Sequence, residues 1–260
     1  MTVRSDPTDR LFVYRCYEWL LQRQLRGTTP PQHVAVILDG NRRWARRQNG
    51  RPAEGHRAGA ALISTFLEWC EEAGIEIVTL YLLSEDNLTG RSAEELHGLF
   101  AIITSLAEEL AEDPRLVIRH VGACDGLTPG LQAALQTAQA STADHQGMVV
   151  NLAVGYGGRR EIVDAIRAIA AEAEDEGETL HEFAAGLSMD QIAGHLYTGG
   201  QPDPELIVRT SGEQRLSDFL LWQSAHSEFY FAEALWPDFR KIDFLRALRA
   251  YAQRRRRFGA

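Results

Sequence analysis

Short runs of branched apolar residues alternate with longer helix-like stretches along most of this chain, and that alternation restricts the fold more than any other feature. The runs are Val34 to Leu38, Ile75 to Leu83, Leu116 to Val121, Met148 to Val154, Leu206 to Arg209 and Glu228 to Phe231. Val34 to Leu38 is continuous and bounded by polar residues, as a strand covered on both faces is. Between the runs, helices are expected over 9 to 25, Gly55 to Ala73, Pro129 to about Ala140, Arg159 to about Ala173, Leu187 to Leu196 and Lys241 to about Arg256. Ser92-Ala-Glu-Glu95 fits a capping box, opening a further helix to about Glu112. Strand and helix in turn predict an α/β fold, a mainly parallel central sheet with helices on both faces. No linker or repeat interrupts it, so residues 1–260 read as one domain, with a helical extension over 1–30 and a terminal helix within 240–260.

The 260 residues are 45% hydrophobic, enough for one sizeable core. A net charge of -9 argues against nucleic acid as a partner. The arginines nevertheless cluster, at Arg42 to Arg51 and Arg254 to Arg257, which favours a small anionic ligand. Cys16, Cys70 and Cys124 have neither disulfide nor metal spacing, so a reduced, cytoplasmic setting is expected. No apolar run approaches membrane-spanning length, so membrane contact is expected to be peripheral at most.

Two strand ends carry chemistry. Val34 to Leu38 runs into Asp39-Gly40-Asn41-Arg42-Arg43-Trp44. Open α/β sheets bind ligands at the carboxyl ends of their strands. There a carboxylate can hold Mg²⁺, while helix-opening amides, Arg42 and Arg43 hold phosphate oxygens. The plainer reading of Asp39 is a helix cap. Leu206 to Arg209 runs into Thr-Ser-Gly-Glu-Gln-Arg215-Leu-Ser217, where two guanidinium forks and a hydroxyl make a diphosphate cradle. The alternative there is an ion pair of Arg209 or Arg215 with Glu213. Two such sites imply two phosphorylated substrates. No Gly-x-x-x-x-Gly-Lys-Ser/Thr loop supports a nucleotide kinase, and Gly155-Tyr-Gly157-Gly158 does not fit Gly-x-Gly-x-x-Gly. Ser84 and Asn87 end the second strand and can line a reaction centre, with Asn87 relaying to His56, or can merely cap a turn.

These segments resemble the cis-prenyltransferases, the family that includes undecaprenyl diphosphate synthase. The matching stretches are 33 to 45, Gly55-His56, Ser84 with Asn87, Asn151 to Gly158, 207 to 217, 219 to 223, Glu228-Phe-Tyr-Phe, 235 to 239 and 256 to 259, in the family's order. The resemblance implies a hydrophobic tunnel beside the sheet, a homodimer and Mg²⁺ as cofactor. It implies that Asp39 binds Mg²⁺ and an allylic diphosphate, with Gly40, Asn41, Arg42 and Arg43 as its phosphate loop and Trp44 and His56 close by. Arg209, Arg215 and Ser217 would hold isopentenyl diphosphate, Glu228 matches a carboxylate implicated in Mg²⁺ binding, and Arg257 and Gly259 match an Arg-x-Gly tail. Pro52 stands where the family often has arginine, Asp86 replaces a glutamate, and Arg91 is a loose match in a loop one residue longer. Short-chain actinobacterial members suggest geranyl diphosphate plus one isopentenyl unit as the reaction. Leu82, on the strand lining the tunnel, would then be the chain-length gate, or else ordinary core. A long-chain synthase and a non-catalytic partner subunit are the competing readings; the presence of Asp39, Asn41, Arg209, Arg215 and Ser217 opposes the second.

Overall fold

In the computed structural model, which describes residues 7–258 and the side chains of 13–254, the six apolar runs form one sheet. The strands are β1 (His33–Ile37), β2 (Ile77–Ser84), β3 (Leu116–Val121), β4 (Met148–Tyr156), β5 (Leu206–Arg209) and β6 (Glu228–Phe231). Their order is β3-β4-β2-β1-β5-β6, and every pairing is parallel. The helices are α1 (Pro7–Leu25), α2 (Asn41–Arg47), α3 (Pro52–Glu72), α4 (Glu85–Gly90), α5 (Ala93–Ala111), α6 (Pro129–Ser141), α7 (Gly158–Asp175), α8 (Leu180–Gly186), α9 (Met189–His195) and α10 (Lys241–Phe258). Three differ most from expectation. α3 starts three residues early, because Pro52 is well suited to a first helical turn. α4 and α8 do not follow from the pattern, since their six and seven residues, capped by Ser84 and Thr179, are too few to display a periodicity.

Side chains alternate across the sheet and divide the core in two. Val34, Val36, Val78 and Leu80 pack with Phe66 and Leu67 of α3, Ile103 and Leu106 of α5, and Phe244 and Leu248 of α10. Ala35, Ile37, Tyr81, Ala153 and Ile207 form a smaller cluster with Tyr156, Phe219 and Leu220. On that side, the buried Glu161 of α7 accepts hydrogen bonds from the Tyr156 hydroxyl, the Tyr197 amide and the Gln223 carboxamide.

The topology places the site. From β1 the chain crosses to β2 on one side; from β5 it crosses to β6 on the other. β1 and β5 are neighbours, with Ile37 opposite Arg209, so the two connections part at a switch point between them. Asp39 and the turn after Arg209 therefore emerge side by side.

Candidate active site

The Asp39 backbone is fixed by both neighbouring segments. Its carbonyl accepts from the Thr210 hydroxyl at 2.7 Å and from the Trp236 amide at 3.0 Å. Its Oδ2 lies 2.9 Å from an Arg209 terminal nitrogen and 3.6 Å from Arg43. Burial pushes this carboxyl up, but hydrogen bonds from Arg209 and Ser211 and the charges of Arg209 and Arg43 outweigh it, so the net shift is downward. Asp39 is thus an ion-paired carboxylate, and no side chain caps α2.

Gly40 has φ 112, and a Cβ there would meet the Leu235 Cα at 3.0 Å. Contact with Leu235, as well as the turn itself, requires glycine. Asn41 donates to the Leu38 carbonyl at 3.0 Å, while its own carboxamide oxygen is buried without a partner. Gly59 of α3 makes room for that oxygen: a Cβ would stand only 2.3 Å from it. Asn41 therefore braces the loop, and its unused acceptor is fixed in position.

The second turn bends without glycine at most of its left-handed positions. Ser211, Ser217, Asp218 and Leu220 have φ of 80, 51, 64 and 46. Such backbone persists only where surroundings impose it. Arg209 imposes much of it: its guanidinium is 4% exposed and donates to the Ser217 hydroxyl at 2.8 Å, to the Arg215 carbonyl and to Asp39. Further anchors are the Gly158 amide on the Asp218 carbonyl at 2.8 Å and Phe219 stacked on Tyr81 at 4.4 Å. The ion pair with Glu213 does form, but with the exposed Arg215 and with Arg43 at 3.5 Å; Arg209 pairs with Asp39 instead.

A third wall comes from β2, α4 and α5. Ser84 and Asn87 both line the cavity, and Ser84 also caps α4, its hydroxyl accepting from the Asn87 amide at 3.1 Å. The expected relay from Asn87 to His56 is not made. His56 Nε2 lies instead 3.2 Å from Arg91 and 3.8 Å from Glu95. Ser92 does accept from the Glu95 amide, but the Glu95 carboxylate reaches Arg91 at 3.1 Å and Arg42 at 3.9 Å rather than closing a capping box. Burial, then the charge of Arg91, lowers His56 to about 4, so it is a neutral hydrogen-bonding group at physiological pH. The Arg91 side chain is 11% exposed, and its Nε is buried without a partner.

These walls enclose a cavity of about 420 Å³. Six arginines reach it (Arg42, Arg43, Arg46, Arg91, Arg209 and Arg215) against the carboxylates of Asp39 and Asp86. Beyond them the lining turns apolar, through Ile63, Leu82, Leu99, Ile102, Ile103 and Leu106. This space lies between β2, α3 and α5, on the side of the sheet where the resemblance implies a tunnel. Leu82 lies on it with Ser84, two residues apart on one face of β2, in a stretch where the register with β4 slips.

Some expected residues fall elsewhere. Trp44 is not part of the lining; its ring N–H donates to Asp238 at 2.8 Å. Glu228 opens β6 opposite Leu206, three residues before the Arg209–Phe231 pair, hence roughly 10 Å below the rim. It pairs there with Arg254 at 2.6 Å, so the chain's own fold does not bring it to Asp39. The Arg257 side chain and Gly259 lie outside the described residues. Arg51 precedes the first residue of α3 without a side-chain cap and is absent from the lining, whereas Arg91 lines the cavity despite the lengthened loop. Sequence reasoning gave no site role to Arg46, Ser211 or Glu95. Arg46 was recoverable, one helical turn beyond Arg42; the other two depend on contacts remote in sequence.

Comparison with known proteins agrees with this geometry. A family model described as putative undecaprenyl diphosphate synthase matches residues 37–259. The (2Z,6E)-farnesyl diphosphate synthase of Thermobifida fusca is 56% identical over 251 residues, 96% of this chain and 98% of the relative. Isoprenyl transferase 1 of Streptomyces avermitilis is 50% identical over 254 residues, 98% of each. The crystal structure of lavandulyl diphosphate synthase from Lavandula x intermedia, in complex with dimethylallyl diphosphate, superposes with a TM-score of 0.79 at 35% identity, covering 86% of this chain and 95% of that one. An arginine-ringed rim above an apolar cavity, on a chain matched nearly end to end, places this protein in the undecaprenyl diphosphate synthase family of cis-prenyltransferases.

Proposed function

We propose that this protein joins isopentenyl diphosphate to geranyl diphosphate, forming a Z double bond and giving (2Z,6E)-farnesyl diphosphate and diphosphate. One observation carries the reading: a cavity whose mouth bears six arginines and whose depth is aliphatic suits an anion with a hydrocarbon tail and little else. The name of the Thermobifida relative supports the short product.

The turn after β1 would receive the allylic diphosphate. Arg42, Arg43 and the amides opening α2 take its oxygens, and Asn41 holds the loop in shape. Neutral His56, with Asn87 and Ser84 across the cavity, supplies hydrogen bonds without adding charge. The turn after β5 would hold isopentenyl diphosphate on Arg209, Arg215 and Ser217, leaving its alkene beside the allylic carbon. As the allylic C–O bond breaks, the alkene carbon forms the new C–C bond. The electrons stay with departing diphosphate, whose charge the arginines stabilise. One proton of the isopentenyl unit then passes to an oxygen of diphosphate or of water, which sets the Z double bond. Most of the rate gain is positioning and charge compensation.

Mg²⁺ fits this donor set in one way. Among the described residues no three His, Cys, Asp or Glu form a cage. Mg²⁺ commonly takes one or two carboxylates together with substrate phosphates. Asp39 offers such a carboxylate, held ionised at the rim, and Glu228 does not join it within one chain. When bound, the ion would neutralise charge on the leaving diphosphate.

The test is direct: incubate the purified protein with isopentenyl diphosphate, Mg²⁺ and each short allylic diphosphate, and size the dephosphorylated products. One addition to geranyl diphosphate is expected; long polyprenyl chains as the main product would overturn the short-chain reading. Leu82→Ala should lengthen the products by one or more five-carbon units, and an unchanged distribution would remove Leu82 as the gate.

A further inference from the structure

Among the described residues, three of the seven large hydrophobic side chains left exposed lie on α1: Val13 at 64%, Trp19 at 52% and Leu20 at 42%. Helical spacing explains why they stand together. Tyr14, Tyr17, Leu21 and Leu25 face the core, where α1 packs on α10. Val13, Cys16, Trp19, Leu20 and Arg23 take the opposite side. A water-facing helix has no use for tryptophan and leucine there.

The charges left without a counterpart around this strip are positive. Arg15 and Arg23 on α1 and Arg26 just after it are exposed, and Arg23 lies over the Trp19 ring at 5.4 Å. The α10 side adds Arg246, over Tyr17 at 5.1 Å, and Arg249, 3.4 Å from Gln24. The carboxylates nearby are already engaged: Glu18 with Lys241 at 3.7 Å, and Asp243 with Arg240 and Arg246 at 3.1 and 3.2 Å. In a chain of net charge -9 this is a local positive surface with an apolar centre.

The geometry points to α1 as an interfacial helix that docks the protein on a membrane rich in anionic lipid. Tryptophan and leucine enter the headgroup boundary, and the flanking arginines meet lipid phosphates. A polar protein partner would not need the apolar centre, and a second copy of this chain would bring an equally basic face. No helix among the described residues is long and apolar enough to cross a membrane, so this contact lies on the surface. The inference is independent of the reaction proposed above, because none of these residues lines the cavity.

The full chain should co-sediment with vesicles of phosphatidylglycerol and phosphatidylcholine at 0.1 M salt at least tenfold more than with phosphatidylcholine alone. Raising salt to 1 M should remove most of that preference. Val13→Ser, Trp19→Ser and Leu20→Ser together should abolish sedimentation, while turnover of soluble short substrates stays at the parent level. Arg15→Gln, Arg23→Gln and Arg26→Gln should each weaken binding about fivefold. Trp19 emission should shift to the blue with vesicles, a change missing from Trp19→Phe. No binding to anionic vesicles, or binding unchanged in the triple serine variant, overturns the proposal. So does loss of self-association in that variant without any vesicle binding by the parent, which would assign the strip to a second copy.

Discussion

The turns after β1 and β5 leave adjacent strands at the same rim and solve the same problem in opposite ways. The first is short and uses glycine for its one left-handed residue, Gly40, before α2 begins at once. The second places Ser211, Ser217, Asp218 and Leu220 in left-handed backbone and is held by neighbouring contacts, among them the buried Arg209 guanidinium on Ser217 and the Arg215 carbonyl, the Ala234 carbonyl on the Ser211 amide and the Gly158 amide on Asp218. A glycine turn can present a carboxylate at little strain. A turn that must present hydroxyls and a second arginine cannot be built of glycine, so the conformational cost is met by neighbouring contacts. The link between the two is Asp39 with Arg209, which makes each turn part of the other's support.

Substitutions can break that comparison in graded steps. Asp39→Asn keeps the shape and removes the charge from the first turn; turnover should fall about 10³-fold. Steady-state kinetics beside circular dichroism checks it, and near-parent turnover would remove the carboxylate from the chemistry. Arg209→Lys retains a charge but cannot reach Asp39, Ser217 and the Arg215 carbonyl together. KM for isopentenyl diphosphate should rise about 10- to 100-fold, or about 1.4 to 2.7 kcal/mol. A comparable rise for the allylic substrate alone would show that the second turn was assigned to the wrong substrate. Gly40→Ala should cost about 2 kcal/mol or more in denaturant unfolding, because a positive φ and the Leu235 backbone both oppose a Cβ. Ser217→Gly is the counterpart and the smallest effect. Relief of about 1 kcal/mol of left-handed strain is offset by glycine's freedom when unfolded and by the lost bond to Arg209, so stability should move by less than about 1 kcal/mol. Only the KM for isopentenyl diphosphate should shift, by a few-fold. A large loss of stability would mean that the hydroxyl, not Arg209, holds the second turn.

Much of this was legible in the residues. β3, β5 and β6 begin and end where their apolar runs do. Asp39, Arg209, Arg215 and Ser217 line the cavity they were read into. The differences share a cause. Trp44 turns to Asp238, His56 turns to Arg91 rather than Asn87, and Glu228 sits three residues below the rim within one chain, because helix rotation and strand register, not sequence spacing, set these neighbours. His56 shows the same limit from the other side: its position was anticipated, but its neutrality comes from burial beside Arg91, a residue of a different element.

The chain's order of apolar runs, helix signals and polar strand ends sufficed for a parallel α/β sheet with two anion-binding turns, because burial periodicity and turn chemistry are local properties. Which of those turns would touch, how α3 closes on Asn41 through Gly59, and which aliphatic residues floor the cavity were decided only in three dimensions. Strand order and register set those contacts, and both follow from packing the whole sheet at once rather than from any single segment.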